Sequence, residues 1–65
     1  MKSFLIELDK NCEIYYRYGS NSPAVSMKGA IIAHYSTDDA YVHFKLKDNR
    51  LIIISLSHIV AIIYE

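Results

Sequence analysis

Residues 41–47 carry the chain's most suggestive chemistry. Tyr41, His43, Lys45 and Lys47 alternate there with Val42, Phe44 and Leu46. A period of two marks a half-buried strand, so the phenol, the imidazole and both ammonium groups share its wet face. Arg50 follows beyond the next turn, close to the same face. Aromatic rings beside cations on an open sheet are what stacking on bases and neutralising phosphates require. An ordinary solvated sheet face also shows Lys, His and Tyr, so the pattern leaves that alternative open.

His34 belongs to the same reading. If the hairpin around Asp38 and Asp39 closes on those two residues, His34 faces His43, Tyr35 faces Val42 and Ile32 faces Lys45. Two imidazoles on one face begin a metal site, but no third ligand comes into place, and no metal is expected. Tyr15 and Arg17 alternate outward in residues 13–18 and form a smaller aromatic and cationic pair.

Covalent catalysis needs a nucleophile, a base and an orienting group in contact. Cys12, three histidines and several acids are present, but none stands in a recognisable motif. Cys12 reads as a residue of the polar turn 9–12. Asp38 and Asp39 read as a solvated turn. Gly19 and Gly29 are isolated, so no glycine-rich phosphate loop appears. The expectation is a non-enzymatic protein with no catalytic residue and no cofactor.

The elements that must position these side chains are strands. Residues 4–8 alternate, with Phe4, Ile6 and Leu8 inward, and residues 13–18 form a second run that could pair with the first as a hairpin. Gly19 to Pro23 is the strongest loop signal. Strand character resumes from Val25 to Tyr35, and Gly29 inside it marks a bend or a close backbone approach. Asp48 and Asn49 fit a two-residue hairpin loop. The runs 51–56 and 59–64 are split by a corner at Ser57 and His58. Both are rich in β-branched residues and apolar on both faces. No helix of three turns is convincing anywhere.

Sixty-five residues make one domain, and a chain of this size buries only about 60% of its unfolded surface. Oligomerisation, metals and disulfides are the usual supplements. With one cysteine, oligomerisation is the natural one. The surplus apolar side chains of 51–64, among them Ile53, Ile59, Ala61 and Ile63, are the expected contact between copies. Seven basic and seven acidic side chains balance, which removes a global field for duplex binding. No signal peptide is apparent, and the apolar C-terminal stretch is short of the roughly 20 residues of a spanning helix. The expected location is cytoplasmic, away from membranes.

The order from Gly29 onward, namely a bent strand, an alternating strand, an apolar strand, a corner of one or two residues and a short last strand, resembles the SH3-like small barrels. Within these it looks like the Sm-like family, which includes the bacterial Hfq-type RNA chaperones, over residues 25–64. The resemblance implies an all-β, oligomeric fold: a small antiparallel five-stranded barrel or strongly bent sheet. It also implies a nucleic-acid contact for His58, at the corner before the last strand. Two departures stand against it: Sm-like proteins open with a helix, and Ser57 replaces the family's lysine before the corner histidine.

The expected function is therefore a homo-oligomeric small β-barrel binding a nucleotide or RNA near subunit boundaries. Its candidate residues are Tyr41, His43, Lys45, Lys47, His34, Arg50, Tyr15, Arg17 and His58. The alternative is a phage-type protein-binding inhibitor or adaptor, suggested by the tyrosines of 15–18 beside a Gly/Ser/Asn loop and by a composition rich in Ile, Lys, Asn and Tyr.

Overall fold

The computed structural model describes residues 6–37 and 40–65. The hairpin tip at Asp38 and Asp39, and Phe4 and Leu5 of the expected first strand, lie outside the described residues. Five strands are present among those described: β1 (Asn11–Tyr16), β2 (Val25–Thr37), β3 (Tyr41–Leu46), β4 (Leu51–Ser55) and β5 (Ile59–Tyr64). A single 3₁₀ turn, Leu56–His58, joins the last two. All pairings are antiparallel, in one sheet of order β4-β3-β2-β1-β5.

Among the described residues the expected opening hairpin is not formed. Residues 6–10 are irregular, and β1 pairs instead with β2 and β5. The segment is strapped across the sheet: Asp9 N–H donates to the Ile31 carbonyl at 2.7 Å and Glu7 N–H to the Tyr64 hydroxyl at 2.7 Å. Cys12 belongs to β1 and not to a turn, and its side chain is buried in the core.

β2 is the spine. Its first half pairs with β1 as far as Ala30, and its second half pairs with β3 from Ile31 onward, with an irregularity between Ile31 and Ala33. Ala30 and Ile31 are consecutive and both buried, which a flat strand with alternating faces does not allow. Gly29 sits one step before this change of partner. A Cβ there would lie 3.0 Å from Leu46 Cδ1 and 3.3 Å from Arg50 Nη2, so a larger side chain at the bend must push one of these two side chains aside.

The core is Cys12, Ile14, Ile31, Val42, Phe44, Leu46, Ile54 and Ile59, with Phe44, Ile14, Ile31 and Leu46 the most deeply enclosed. The expected inward set of β3 is therefore the set observed. Ile59 departs from expectation, being buried where an outward position was foreseen. The register slips between Tyr15 and Tyr16, so that Tyr15 faces Ala61 while Tyr16 faces Ile59. The extra residue, Val60, takes the exposed place, as at a bulge.

β4 and β5 occupy opposite edges of the sheet, yet only three residues connect them. Such a link can be made only if the sheet coils until its edges converge at that corner. The corner is pinned by Arg17 N–H to the His58 carbonyl at 2.9 Å and Leu56 N–H to the Ala40 carbonyl at 2.8 Å. Away from it the edges do not pair, and the sheet is bent without closing into a barrel.

Candidate functional site

Beside the corner, between β4 and the end of β1, lies a cleft of about 380 Å³. Its lining comes from the end of β1 and beyond (Tyr16, Arg17, Tyr18), the start of β3 (Tyr41), four consecutive residues of β4 (Ile52, Ile53, Ile54, Ser55), and His58 of the corner. Arg17, Tyr41 and His58, distant in sequence, are thus brought together. Tyr16 and Tyr18 meet edge-on, centroids 5.6 Å apart and planes at 80°. Tyr18 is 76% exposed, unusual for so large a ring. The Tyr18 hydroxyl and partial burial hold the Tyr16 phenol above its ordinary pKa, so it remains a neutral hydrogen-bonding group. Arg17 Nη1 donates to the Ser22 carbonyl at 2.7 Å, which leaves its remaining N–H groups for other acceptors. Among the described residues, no carboxylate lines the cleft.

Because the β4 residues lining the cleft are consecutive, the strand presents its edge there. The bonds Leu46 N–H to Arg50 C=O at 2.9 Å and Leu56 N–H to Ala40 C=O at 2.8 Å bracket the β3–β4 ladder. With the register Phe44–Ile52 and Val42–Ile54, they direct the even-numbered groups of β4 toward β3. The N–H and C=O of Leu51 and Ile53, and the N–H of Ser55, then point to the open side.

Next to the cleft, the outer face of β3 carries Tyr41, His43 and Lys45. Lys45 is exposed and has no ion-pair partner among the described residues. His43 does not meet His34. Its cross-strand neighbour is Tyr35, while His34 faces Phe44 and so lies on the other side of the sheet. The Tyr35 and His43 rings stack with centroids 4.4 Å apart and an angle of 14°. His43 Nε2 lies 2.9 Å from Thr37 Oγ1, and Nδ1 is buried without a partner. A proton on Nδ1 would be an orphaned donor, so the network assigns it to Nε2, which donates to Thr37.

Three other candidates are occupied elsewhere. Lys47 Nζ pairs with Asp9 at 3.2 Å, fastening the irregular segment to the β3–β4 turn. Arg50 Nε contacts Asp48 Oδ2 at 2.7 Å, and Nη2 donates to the Lys28 carbonyl at 2.8 Å, so the guanidinium braces the bend beside Gly29. Tyr15 lies across from Ser26 and Ala61 on the outer side of β1, and does not line the cleft with Arg17. The nearby Glu13 carboxylate raises the Tyr15 pKa; Glu13 accepts from Ser26 Oγ at 2.7 Å, which is the larger cause holding its carboxyl below the ordinary range, with Tyr15 second.

Among the described residues, no group of three or more His, Cys, Asp or Glu is arranged to hold a metal, and no helix is long and apolar enough to cross a membrane. No family model matches the chain, and no curated protein or solved structure matches it.

The cleft was missed in the sequence because its lining is set by sheet coiling, not by any local pattern. The signal that could have found it is the short corner at Ser57 and His58, which forces two apolar strands at opposite edges to converge beside the tyrosines of 16–18.

Proposed function

We propose that this chain is a non-enzymatic, homo-oligomeric, Sm-like β-protein that binds a nucleotide or RNA in the cleft and along the adjoining strip of β3. The observation that carries this reading is the lining of the cleft: three tyrosine rings, a guanidinium and an imidazole, with no carboxylate among the described residues. Bases stack on tyrosine and phosphates pair with guanidinium. Tyr41 borders both cleft and strip, so a short strand could seat one base in the cleft and run its phosphates toward Lys45. The bent strand at Gly29, the alternating β3, the apolar β4 and the short corner supply the order of elements on which the Sm-like reading rests. A cytoplasmic location goes with it.

Self-association is supported by the two edges. Neither β4 nor β5 carries a charge, a proline or a glycine, the devices that normally blunt an exposed edge. Leu51, Ile53, Val60 and Ile63 are exposed on these strands. Burying such a side chain contributes about 1.5–3 kcal/mol, so a few per copy offset much of the cost of association.

The test is calorimetric titration of nucleotides and short single-stranded RNAs at low and high salt. The expected result is binding that weakens as salt rises; no binding at low salt would remove the reading. The open β4 edge also supports a second reading, an adaptor that docks on another protein by strand addition. Absorbance of the purified protein at 260 against 280 nm separates the two, since a co-purifying nucleotide raises the ratio.

A further inference from the structure

We infer that a second copy of this chain pairs antiparallel with the free edge of β5, about a two-fold axis at Ile63, joining two five-stranded sheets into one. The inference rests on the self-association reading and deepens it, by naming the edge used and the residue that meets its own copy.

The main chain sets the register. β5 ends the sheet, with β1 on one flank and no strand on the other. Glu65 N–H donates to the Asn11 carbonyl at 3.1 Å. With the register Glu13–Ile63 and Tyr15–Ala61, this turns the odd-numbered groups toward β1, so the N–H and C=O of Ile62 and Tyr64 point outward. Among the described residues no strand or loop takes these four groups up. An axis at Ile63 sets Ile62 against the partner's Tyr64, and Tyr64 against the partner's Ile62. All four groups are then bonded, reciprocally, as a closed two-fold contact demands. An axis at Ile62 would instead set Tyr64 against the partner's Val60, where the pairing of β5 is irregular.

The side chains agree. Ile63 is 55% exposed and takes the non-hydrogen-bonded place on the axis, where facing Cα atoms lie about 4.5 Å apart. Each Ile63 covers the other. On the inner face Ile62 and Tyr64 form the half-buried fringe of the core, and the partner's Tyr64 and Ile62 extend that fringe. The partner's Glu65 comes opposite Ala61, at the rim. Glu13, beside Ile63, is held by Ser26 and stands three strand spacings from its own copy, about 14 Å, beyond the screening length of about 8 Å. No like charges face each other at the axis. No residue of β5 lines the cleft, so the paired edge and the ligand site are separate surfaces.

The pairing engages residues 61–65, far fewer than the roughly 20–30 a side of a standard-size interface. The dimer should therefore be reversible, dissociating in the micromolar range.

The experiment is sedimentation velocity of the full chain from micromolar to near-millimolar concentration. The expected result is a reversible monomer–dimer equilibrium that stops at two copies. Ile63→Glu, which sets two carboxylates face to face on the axis, should weaken association at least tenfold and keep the parent's cooperative thermal transition. Ile53→Glu, on β4, should associate as the parent does. Ile63→Cys should give a covalent dimer on mild oxidation, while the parent, whose one thiol is buried, gives none. A parent that is monomeric throughout overturns the inference and the self-association reading together. Association that survives Ile63→Glu, that Ile53→Glu abolishes, or that runs beyond two copies overturns the inference and leaves self-association standing. If Ile63→Glu does not fold, Ile63→Cys decides, an uncrosslinked thiol at concentrations where the parent is dimeric overturning the inference.

Discussion

Tyr35 and His43 face each other across β2 and β3 with their rings stacked 4.4 Å apart, while His34, one residue away, points to the opposite face. Cross-strand aromatic pairs of this kind contribute roughly 0.2–1 kcal/mol. A double-mutant cycle on Tyr35→Ala and His43→Ala, read by urea denaturation, should give a coupling of about 0.5–1 kcal/mol. The cycle on His34→Ala and His43→Ala should give about zero. A coupling in the second cycle and none in the first would mean the register is displaced by one.

That displacement shows what the sequence could and could not settle. The inward set Val42, Phe44 and Leu46 was legible because alternation within a strand needs no knowledge of its neighbours. The partner of each residue was not, because it depends on loop length. Both hairpins look like two-residue turns, yet Thr37 pairs with Tyr41 and Leu46 bonds to Arg50, leaving three residues in each loop. In the second loop Asn49 takes φ 73°, doing the work of the missing glycine. One extra residue turns a partner to the other face, which is why His34 was paired with the wrong residue. The contacts of Lys47 with Asp9 and of Arg50 with the Lys28 carbonyl were not legible for a different reason: these partners arrive from distant segments that no local pattern announces.

Gly29 should be intolerant of larger side chains. Valine there must displace Leu46, which is buried, or the Arg50 guanidinium that braces the bend. Overpacking of this kind costs about 1–3 kcal/mol. Gly29→Val should lower the thermal midpoint well below that of Gly29→Ala. Equal midpoints for Gly29→Val and the parent would show that Leu46 and Arg50 yield freely.

Cys12 should be inert in the folded protein. Burial first, and the Glu65 carboxylate second, push its thiol above the ordinary value, with a smaller opposing contribution from the Ile31 backbone. A raised thiol contributes its full stability below the unfolded value of about 8.5 and loses it as pH rises toward the folded one. Stability should therefore be insensitive to this group at neutral pH and decline in alkaline solution. Ellman's reagent should react at a rate that tracks global unfolding. Cys12→Ser, which puts a hydroxyl into the core, should cost about 1–3 kcal/mol.

Tyr18→Ala should leave the melting temperature nearly unchanged, because the ring is 76% exposed, yet weaken oligonucleotide binding. Stacking is worth about 1–3 kcal/mol per base, or roughly one to two powers of ten in affinity. Tyr41→Ala should lose a similar amount. Lys45→Ala should flatten the dependence of affinity on salt by about 0.7 in the log–log slope, the share of one phosphate on a single strand. Unaltered affinity in Tyr18→Ala and Tyr41→Ala alike would exclude the cleft as the seat of the base.

The pairing of β1 with β5 has a kinetic consequence. Glu7 and Tyr64, joined by a hydrogen bond, are 57 positions apart, and the strands beside them are separated by nearly as much chain. While the protein is being synthesised, β1 can pair with β2, but its other flank stays bare until the last strand has emerged. Buried Cys12 and Ile14 cannot be covered by any local contact in the meantime. Sheets dominated by such distant pairings fold in about milliseconds to seconds, far more slowly than helical bundles of similar stability. Until β5 has been made, an unfinished chain therefore leaves the outer flank of β1 without its partner strand.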